Sequence, residues 1–189
     1  YQEDLFVPGY FEVNLKKGES VIFSCGIDEI STKSIAEKIV SESTKRIPRN
    51  NFYNCLRNSA EQFIVHNGDK IEIIAGYPWF GSWGRDTFIA LPGLCLTQKN
   101  HADFLTVINT LLSKLKNGLF PNMGTGDDLA YNSVDAPLWF IWAMQQYYKY
   151  SNEKKLWKEF GYAFKEILSN YKSGTNFNIC MHENGLIFQ

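Results

Sequence analysis

Gly76-Tyr77-Pro78-Trp79-Phe80-Gly81-Ser82-Trp83-Gly84-Arg85-Asp86-Thr87-Phe88-Ile89-Ala90-Leu91-Pro92-Gly93-Leu94-Cys95-Leu96 decides how the rest of the chain is read. The first half is loop-like: Pro78, Gly81 and Gly84 interrupt regular structure, yet Trp79, Phe80 and Trp83 are too large to be loop filler. The second half, from Thr87 to Leu96, is almost wholly apolar, and Arg85-Asp86 stands at the join. A charged pair among aromatic rings, at the mouth of a buried helix, suits a polyhydroxylated ligand. Indole faces stack on the C–H face of a sugar, while Arg and Asp hold hydroxyls through charge-assisted hydrogen bonds. The same residues also fit a structural role, with Asp86 capping a helix, Arg85 paired to it and the aromatics in the core. Spacing alone leaves both roles open.

Downstream, apolar and amphipathic stretches alternate. Residues 87–96 are apolar all round apart from Thr87. Residues 102–116 carry one apolar face, made by Phe104, Leu105, Ile108, Leu111, Leu112 and Leu115, and end at Asn117-Gly118. Residues 136–150 are again apolar nearly all round in their first half. Residues 152–170 are again amphipathic, through Leu156, Phe160, Ala163, Phe164, Ile167 and Leu168. A helix apolar on every side is expected to be buried on every side, and one with a single apolar face to cover a core from outside. Inner, outer, inner, outer is the order of a two-layer α/α toroid. Asp86 and Asp135 lie 49 positions apart (135 minus 86), about one helix hairpin with its loops. Inner helices of a toroid run parallel, so Asp86 and Asp135 should share one end, with the loops 77–85 and 124–133 rimming one cavity. Helix N-termini bring free N–H groups and partial positive charge to that end.

Upstream the pattern changes. Residues 1–25 read as β: Phe11-Glu12-Val13-Asn14-Leu15 alternates, Lys16-Lys17-Gly18-Glu19 turns, and Val21-Ile22-Phe23 follows as a strand. Residues 26–49 form a polar connector with a modest helix over 32–43, stopped by Pro48. A helical pattern opens at Asn50, with Phe52, Leu56, Ala60 and Phe63 at helical spacing up to Val65. Asn67-Gly68-Asp69 is a turn, and 70–75 is a short strand-like run into the central loop. The end, 177–189, reads as a short hairpin around Glu183-Asn184-Gly185. The expected domains are thus 1–25, the end of a β domain; 26–49, a connector; and 50–189, helical hairpins.

Composition narrows the function classes. The 189 residues are 44% hydrophobic and 15% aromatic, enough for one sizeable core. Net charge is −1 and no basic block exists, which argues against nucleic acid and anionic membranes as partners. Cys25, Cys55, Cys95 and Cys180 are irregularly spaced without a CxxC pair, so reduced, buried, structural thiols in a cytoplasmic protein are expected. His66, His101 and His182 show no ligand spacing. The longest apolar run, 136–144, is short of the about 20 residues a membrane span needs. The chain does not open on Met, as expected for a piece of a longer polypeptide.

Asp135 precedes Ala136-Pro137, so helix capping is its first expected role, with one carboxylate oxygen left for a ligand. Trp139, one turn on, is better placed than Trp142 to reach the cavity. Asp127-Asp128 invites a magnesium reading. That chemistry wants a further acid one helical turn on, where Tyr131 and Asn132 stand instead, so no metal or cofactor is expected.

These segments resemble the amylo-α-1,6-glucosidase domain of archaeal and bacterial glycogen debranching enzymes. The resemblance rests on Ile74-Ala75-Gly76-Tyr77-Pro78-Trp79-Phe80, on Trp83-Gly84-Arg85-Asp86-Thr87 with Leu91-Pro92-Gly93-Leu94, and on Asn132-Ser133-Val134-Asp135-Ala136-Pro137-Leu138-Trp139-Phe140. Tyr1-Gln2-Glu3-Asp4-Leu5 with Pro8-Gly9-Tyr10-Phe11 is similar to the end of that family's N-terminal β domain. The resemblance implies an (α/α)6 barrel like that of glucoamylase, preceded by β structure. It implies hydrolysis, with inversion, of the single α-1,6-linked glucose at a trimmed glycogen branch. Arg85-Asp86 resembles the pair that holds the terminal glucose in such enzymes. Tyr77, Trp79, Trp83, Arg85, Asp86, Asp128, Tyr131, Asp135 and Trp139 are then the expected substrate-binding residues. Six hairpins need far more chain than 189 residues. The family's general acid, in a Thr-Trp-Met-Asp segment, and its second carboxylate are expected beyond Gln189, so the isolated chain is expected to be inactive. The expected partners are glycogen or another branched α-glucan and the remainder of the same polypeptide. A non-catalytic glucan-binding or scaffold protein is the alternative.

Overall fold

The structure, a computed structural model, describes residues 4, 6–25, 31–77, 80–125 and 128–189. It divides into two compact units, Tyr1–Ile47 and Pro48–Gln189.

In the first unit the chain turns at Lys17-Gly18, where the Glu19 N–H donates to the Lys16 carbonyl at 3.0 Å. The rings of Phe11 and Phe23 approach to 5.2 Å. The β ladder expected for these residues is absent: none of the described residues up to Cys25 belongs to a strand. Phe6, Tyr10, Phe11 and Phe23 are all exposed, and two arms with no third strand to bury a face against do not sustain a ladder. Helix α1 (Thr32–Lys45) forms where the connector's helix was expected, with Ile39 and Val40 exposed.

The second unit begins with α2 (Phe52–Glu61), whose N-cap Asn51 accepts from the Asn54 N–H at 2.8 Å. The helix stops short of the expected Val65. The β-branched Ile64 and Val65 enter β1 (Ile64–Asn67), which turns at Gly68-Asp69 into β2 (Lys70–Gly76), with Ile64 opposite Ile73. Part of the presumed central loop is a third antiparallel strand, β3 (Phe80–Ser82), with Gly76 opposite Phe80 and Ile74 opposite Ser82. Then come α3 (Gly84–Cys95), α4 (His101–Leu112), β4 (Met123–Thr125), β5 (Asp128–Ala130), α5 (Ala136–Ser151) and α6 (Leu156–Ser173). The expected terminal hairpin closes the chain as β6 (Cys180–Met181) and β7 (Ile187–Phe188), with Cys180 opposite Phe188. The chain is mainly helical with small sheets.

Helices α3 and α5 pack along each other. Their N-termini meet, and at matched depth the rings of Phe88 and Phe140 lie 5.6 Å apart, so the two helices run side by side in one direction. Phe120 completes a buried triad, 4.9 Å from Phe88 and 5.2 Å from Phe140. Helix α4 covers α3 and β2, and Phe104 stacks on Tyr147 of α5 at 5.0 Å. Helix α6 covers α5 through Phe164, 5.4 Å from Phe140.

The expectation that α3 and α5 are buried on every side is corrected. Each is buried along one stripe: Thr87, Phe88, Leu91 and Cys95 in α3, and Ala136, Phe140, Ala143, Met144 and Tyr147 in α5. Ile89 of α3, and Leu138 and Trp142 of α5, remain exposed: Ile89 opens on a cleft against β2, and no described element covers the face of α5 that carries Leu138 and Trp142.

The cysteines also depart from expectation. None of the four is in a disulfide, and only Cys95 is buried, while Cys25 is exposed. Burial, helped by the nearby Asp103 charge, pushes the Cys95 thiol up to about 12. An unfolded thiol ionises first as pH rises past about 9, so this group costs native stability between about pH 9 and pH 12. At pH 8 the Cys95 thiol should therefore be the last to react with a thiol reagent, and only after denaturant is added. A stopped-flow titration in which all four thiols react in the native protein would contradict this packing.

Candidate functional site

The site forms where α3 and α5 begin together. The segment before α3 and the segment before α5 are tied by backbone: the Gly84 N–H donates to the Asn122 carbonyl at 3.0 Å, and the Asn122 N–H to the Ala130 carbonyl at 2.7 Å. Strand β3 lies against β4, and β4 pairs with β5. The expected loop 124–133 is thus partly a hairpin. Gly124 allows it: its φ is +113°, and a Cβ there would fall 1.9 Å from the Asp128 carbonyl oxygen.

Across this end the Arg85 guanidinium stands between two carboxylates. Its Nε lies 4.0 Å from Asp86 Oδ2, and its Nη1 lies 3.6 Å from Asp135 Oδ2. All three side chains are between a third and a half exposed, so each pairing contributes only about 0–1 kcal/mol to stability. No hydrogen bond engages the guanidinium among the described residues. One cation against two anions therefore leaves carboxylate oxygens free to accept and guanidinium N–H groups free to donate. That arrangement suits neighbouring hydroxyls, which donate and accept at once.

Neither aspartate caps its helix. The N-cap of α3 is Trp83, and Asp86 is the third residue of the helix, in its first turn. Asp135 does hold the N-cap position of α5, yet its side chain accepts nothing from that helix. Pro137 stands at the second helical position and has no N–H to offer. Instead Asp135 Oδ1 accepts from the Ser133 hydroxyl at 2.5 Å. The capping role expected for Asp135, and left open for Asp86, is corrected on this geometry. Asp86 forms the polar lip of a cleft of about 360 Å³ between β2 and α3, walled by Phe63, Ile73, Ile74, Ile89 and Leu94. That volume lies in the range of small-molecule sites.

The remaining expected residues are spread around this end. Tyr77 is exposed, its ring 6.4 Å from Phe63 on the cleft wall. Trp83 is half-buried and meets Phe80 edge-on at 6.1 Å. Trp139 is half-buried on α5 and meets Trp142 edge-on at 5.5 Å. The Tyr131 hydroxyl donates to the Lys114 carbonyl at 2.8 Å, and burial pushes its phenol up. Asp128 opens β5, exposed, opposite Thr125. Neither Tyr131 nor Asp128 forms a hydrogen bond or ion pair with the Arg85 cluster. Trp79 and Asp127 lie outside the described residues. Among those described, no group of three or more His, Cys, Asp or Glu side chains could hold a metal ion, and no helix is long and apolar enough to cross a membrane. Ser133 and, from α6, Tyr171 were not singled out in the sequence, although both brace Asp135 and its neighbour Val134.

Paired parallel helices with an Arg–carboxylate cluster at their common N-terminal end define a helical domain with a polar site at one end. Residues 58–189 match the family model described as amylo-alpha-1,6-glucosidase, so the chain belongs to that family. It is also 38% identical over 79 residues to the glycogen debranching enzyme of Saccharomyces cerevisiae, covering 39% of this chain and 5% of that enzyme. The match thus covers a small part of that enzyme's length. No solved structure matches.

Proposed function

We propose that this chain is part of a glycogen debranching polypeptide that hydrolyses the α-1,6-linked glucose of a trimmed branch with inversion, and that it supplies the wall gripping that glucose. The observation that carries the reading is the Arg85 guanidinium set between Asp86 and Asp135, its N–H groups unused among the described residues. Inverting hydrolysis needs two carboxyls about 6.5–9.5 Å apart with the scissile bond and a water between them. Asp86 and Asp135 both stand against one guanidinium, which suits holding hydroxyls. The general acid and base then come from other parts of the polypeptide.

The toroid is part of the same proposal. Helices α3 and α5 serve as two inner helices and α4 and α6 as their outer covers. The bare face of α5, with Leu138 and Trp142 exposed, is where a third inner helix would pack. Tyr77, Trp83 and Trp139 serve as stacking surfaces for the sugar, with Asp128 and Tyr131 on the rim, and the resemblance gives Trp79 the same role.

The test is the full-length polypeptide acting on 6-O-α-glucosyl-cyclodextrin, followed by proton NMR. Free glucose appearing first as the β-anomer is the expected result. First-formed α-anomer would overturn inversion. Binding of the substrate with no glucose released would instead support the glucan-binding or scaffold reading.

A further inference from the structure

We propose that Ser133 and Tyr171 are positioning residues, which hold Asp135 off its own helix and against Arg85 so that the guanidinium is fixed for the sugar. This rests on the reading of the Arg85 cluster as the glucose-gripping site. An aspartate at an N-cap normally has extended backbone and accepts from the second or third helical N–H. Asp135 does neither: its φ and ψ are −94° and −21°, and it makes no cap bond. Two hydroxyls hold this uncommon arrangement. The Ser133 hydroxyl, on a side chain only 6% exposed, donates to Asp135 Oδ1 at 2.5 Å, which leaves Oδ2 to face Arg85. The Tyr171 hydroxyl donates to the Val134 carbonyl at 2.5 Å.

Tyr171 is 3% exposed and reaches this point from the far end of α6, 37 residues along the chain. The turn 133–135 is therefore clamped once locally and once by the outer helix. Burial, and then the Asp135 charge, push the Tyr171 phenol up, so it stays a donor at any working pH. Asp135, freed from capping, is the only partner that ties Arg85 to α5 among the described residues. Without the two hydroxyls its carboxylate can swing back to the free Leu138 N–H, and the Arg85 fork loses the anchor that sets its plane.

The experiment uses the full-length polypeptide, a branched α-glucan substrate and six variants, four single and two double. Arg85→Lys tests the underlying reading, and is expected to raise KM at least tenfold. Ser133→Ala and Tyr171→Phe are each expected to raise KM about five- to thirtyfold, with kcat changed less than threefold. Ser133→Thr, which keeps the hydroxyl, should restore KM to within about twofold. In the double variants Arg85→Lys with Ser133→Ala, and Arg85→Lys with Tyr171→Phe, the second change should add nothing, because it acts through Arg85. An unchanged KM in Arg85→Lys would overturn the glucose-gripping reading itself. A raised KM there, with Ser133→Ala and Tyr171→Phe lowering only the melting temperature, would overturn the positioning role alone. Additive effects in the double variants would overturn it as well.

Discussion

Arg85→Ala in the full-length polypeptide should cut kcat/KM on a branched α-glucan by about 10² to 10⁴, while the melting temperature moves by a few degrees at most. A hydrogen bond to a charged group contributes about 1.5–3 kcal/mol, and a forked guanidinium can make two to adjacent sugar oxygens. The stability change is small because the ion pairs of Arg85 with Asp86 and Asp135 are long and partly exposed. Two such contacts give a loss of that size, and Asp86 and Asp135 would also face the substrate with no cation near them. Steady-state kinetics with thermal melts on the same preparation checks both halves. A large fall in melting temperature with unchanged kcat/KM would make Arg85 a structural residue.

Gly84→Ala should destabilise the chain by about 2–3 kcal/mol. A Cβ at Gly84 would fall 2.3 Å from the Pro121 carbonyl oxygen and 3.9 Å from the Ala136 methyl. The obstruction is backbone, which cannot swing aside as a side-chain tip would. The same methyl would push apart the Gly84 N–H and the Asn122 carbonyl, the bond that ties the start of α3 to the segment leading into the β4–β5 hairpin. For a domain of this size the melting temperature should fall by roughly 5–10 °C. Gly93→Ala is the matched control, because it lies within the same helix and a Cβ there would meet nothing within 4 Å. It should be neutral or stabilising by up to about 1 kcal/mol. Equal losses in the two variants would contradict the close approach at Gly84.

The sequence revealed the helices better than it revealed what surrounds them. The alternation between nearly all-apolar and one-faced stretches placed α3, α4, α5 and α6 in order, because hydrophobic burial is written at helical period into Phe88, Leu91, Cys95 and into Phe140, Met144, Tyr147. It overstated the burial of Ile89, Leu138 and Trp142, since apolar character reports what a face could bury against: Ile89 opens on the cleft beside β2, and no described element covers Leu138 and Trp142. Strand β3 was hidden because Phe80-Gly81-Ser82 has no period-2 pattern. Its place is set by pairing with Ile74 and Gly76 across the turn. The β4–β5 hairpin was hidden for a similar reason: Gly124 works there through a positive φ and a close backbone approach, which spacing does not display.

The charged residues show the same division. The sequence placed Asp86 and Asp135 at one end of two helices, but the 3.6 Å pair of Arg85 with Asp135 was not legible in it. That neither aspartate caps did not follow. Asp135-Ala136-Pro137 looks like a cap from composition, but the proline at the second helical position removes one of the two N–H groups a cap would use. The signal was in the sequence, in the identity of the residue that cannot donate. Tyr171 carried no such signal. Its spacing belongs to the buried face of α6, and only the fold brings its hydroxyl to Val134.

Asp86 offers the most direct measurement of the central claim, that the Arg85 cluster grips sugar and is not a structural device. Asp86 lies on the lip of the cleft and caps nothing, and Asp86→Asn keeps its size while removing the charge. Melting temperature and kcat/KM on a branched α-glucan should be measured together for Asp86→Asn and Asp86→Ala in the full-length polypeptide. A sugar-gripping carboxylate gives a melting temperature within about 2 °C of the parent for Asp86→Asn and a kcat/KM lowered at least tenfold, with Asp86→Ala no better. A kinetically silent Asp86→Asn, with Asp86→Ala losing stability at unchanged KM, would contradict the account.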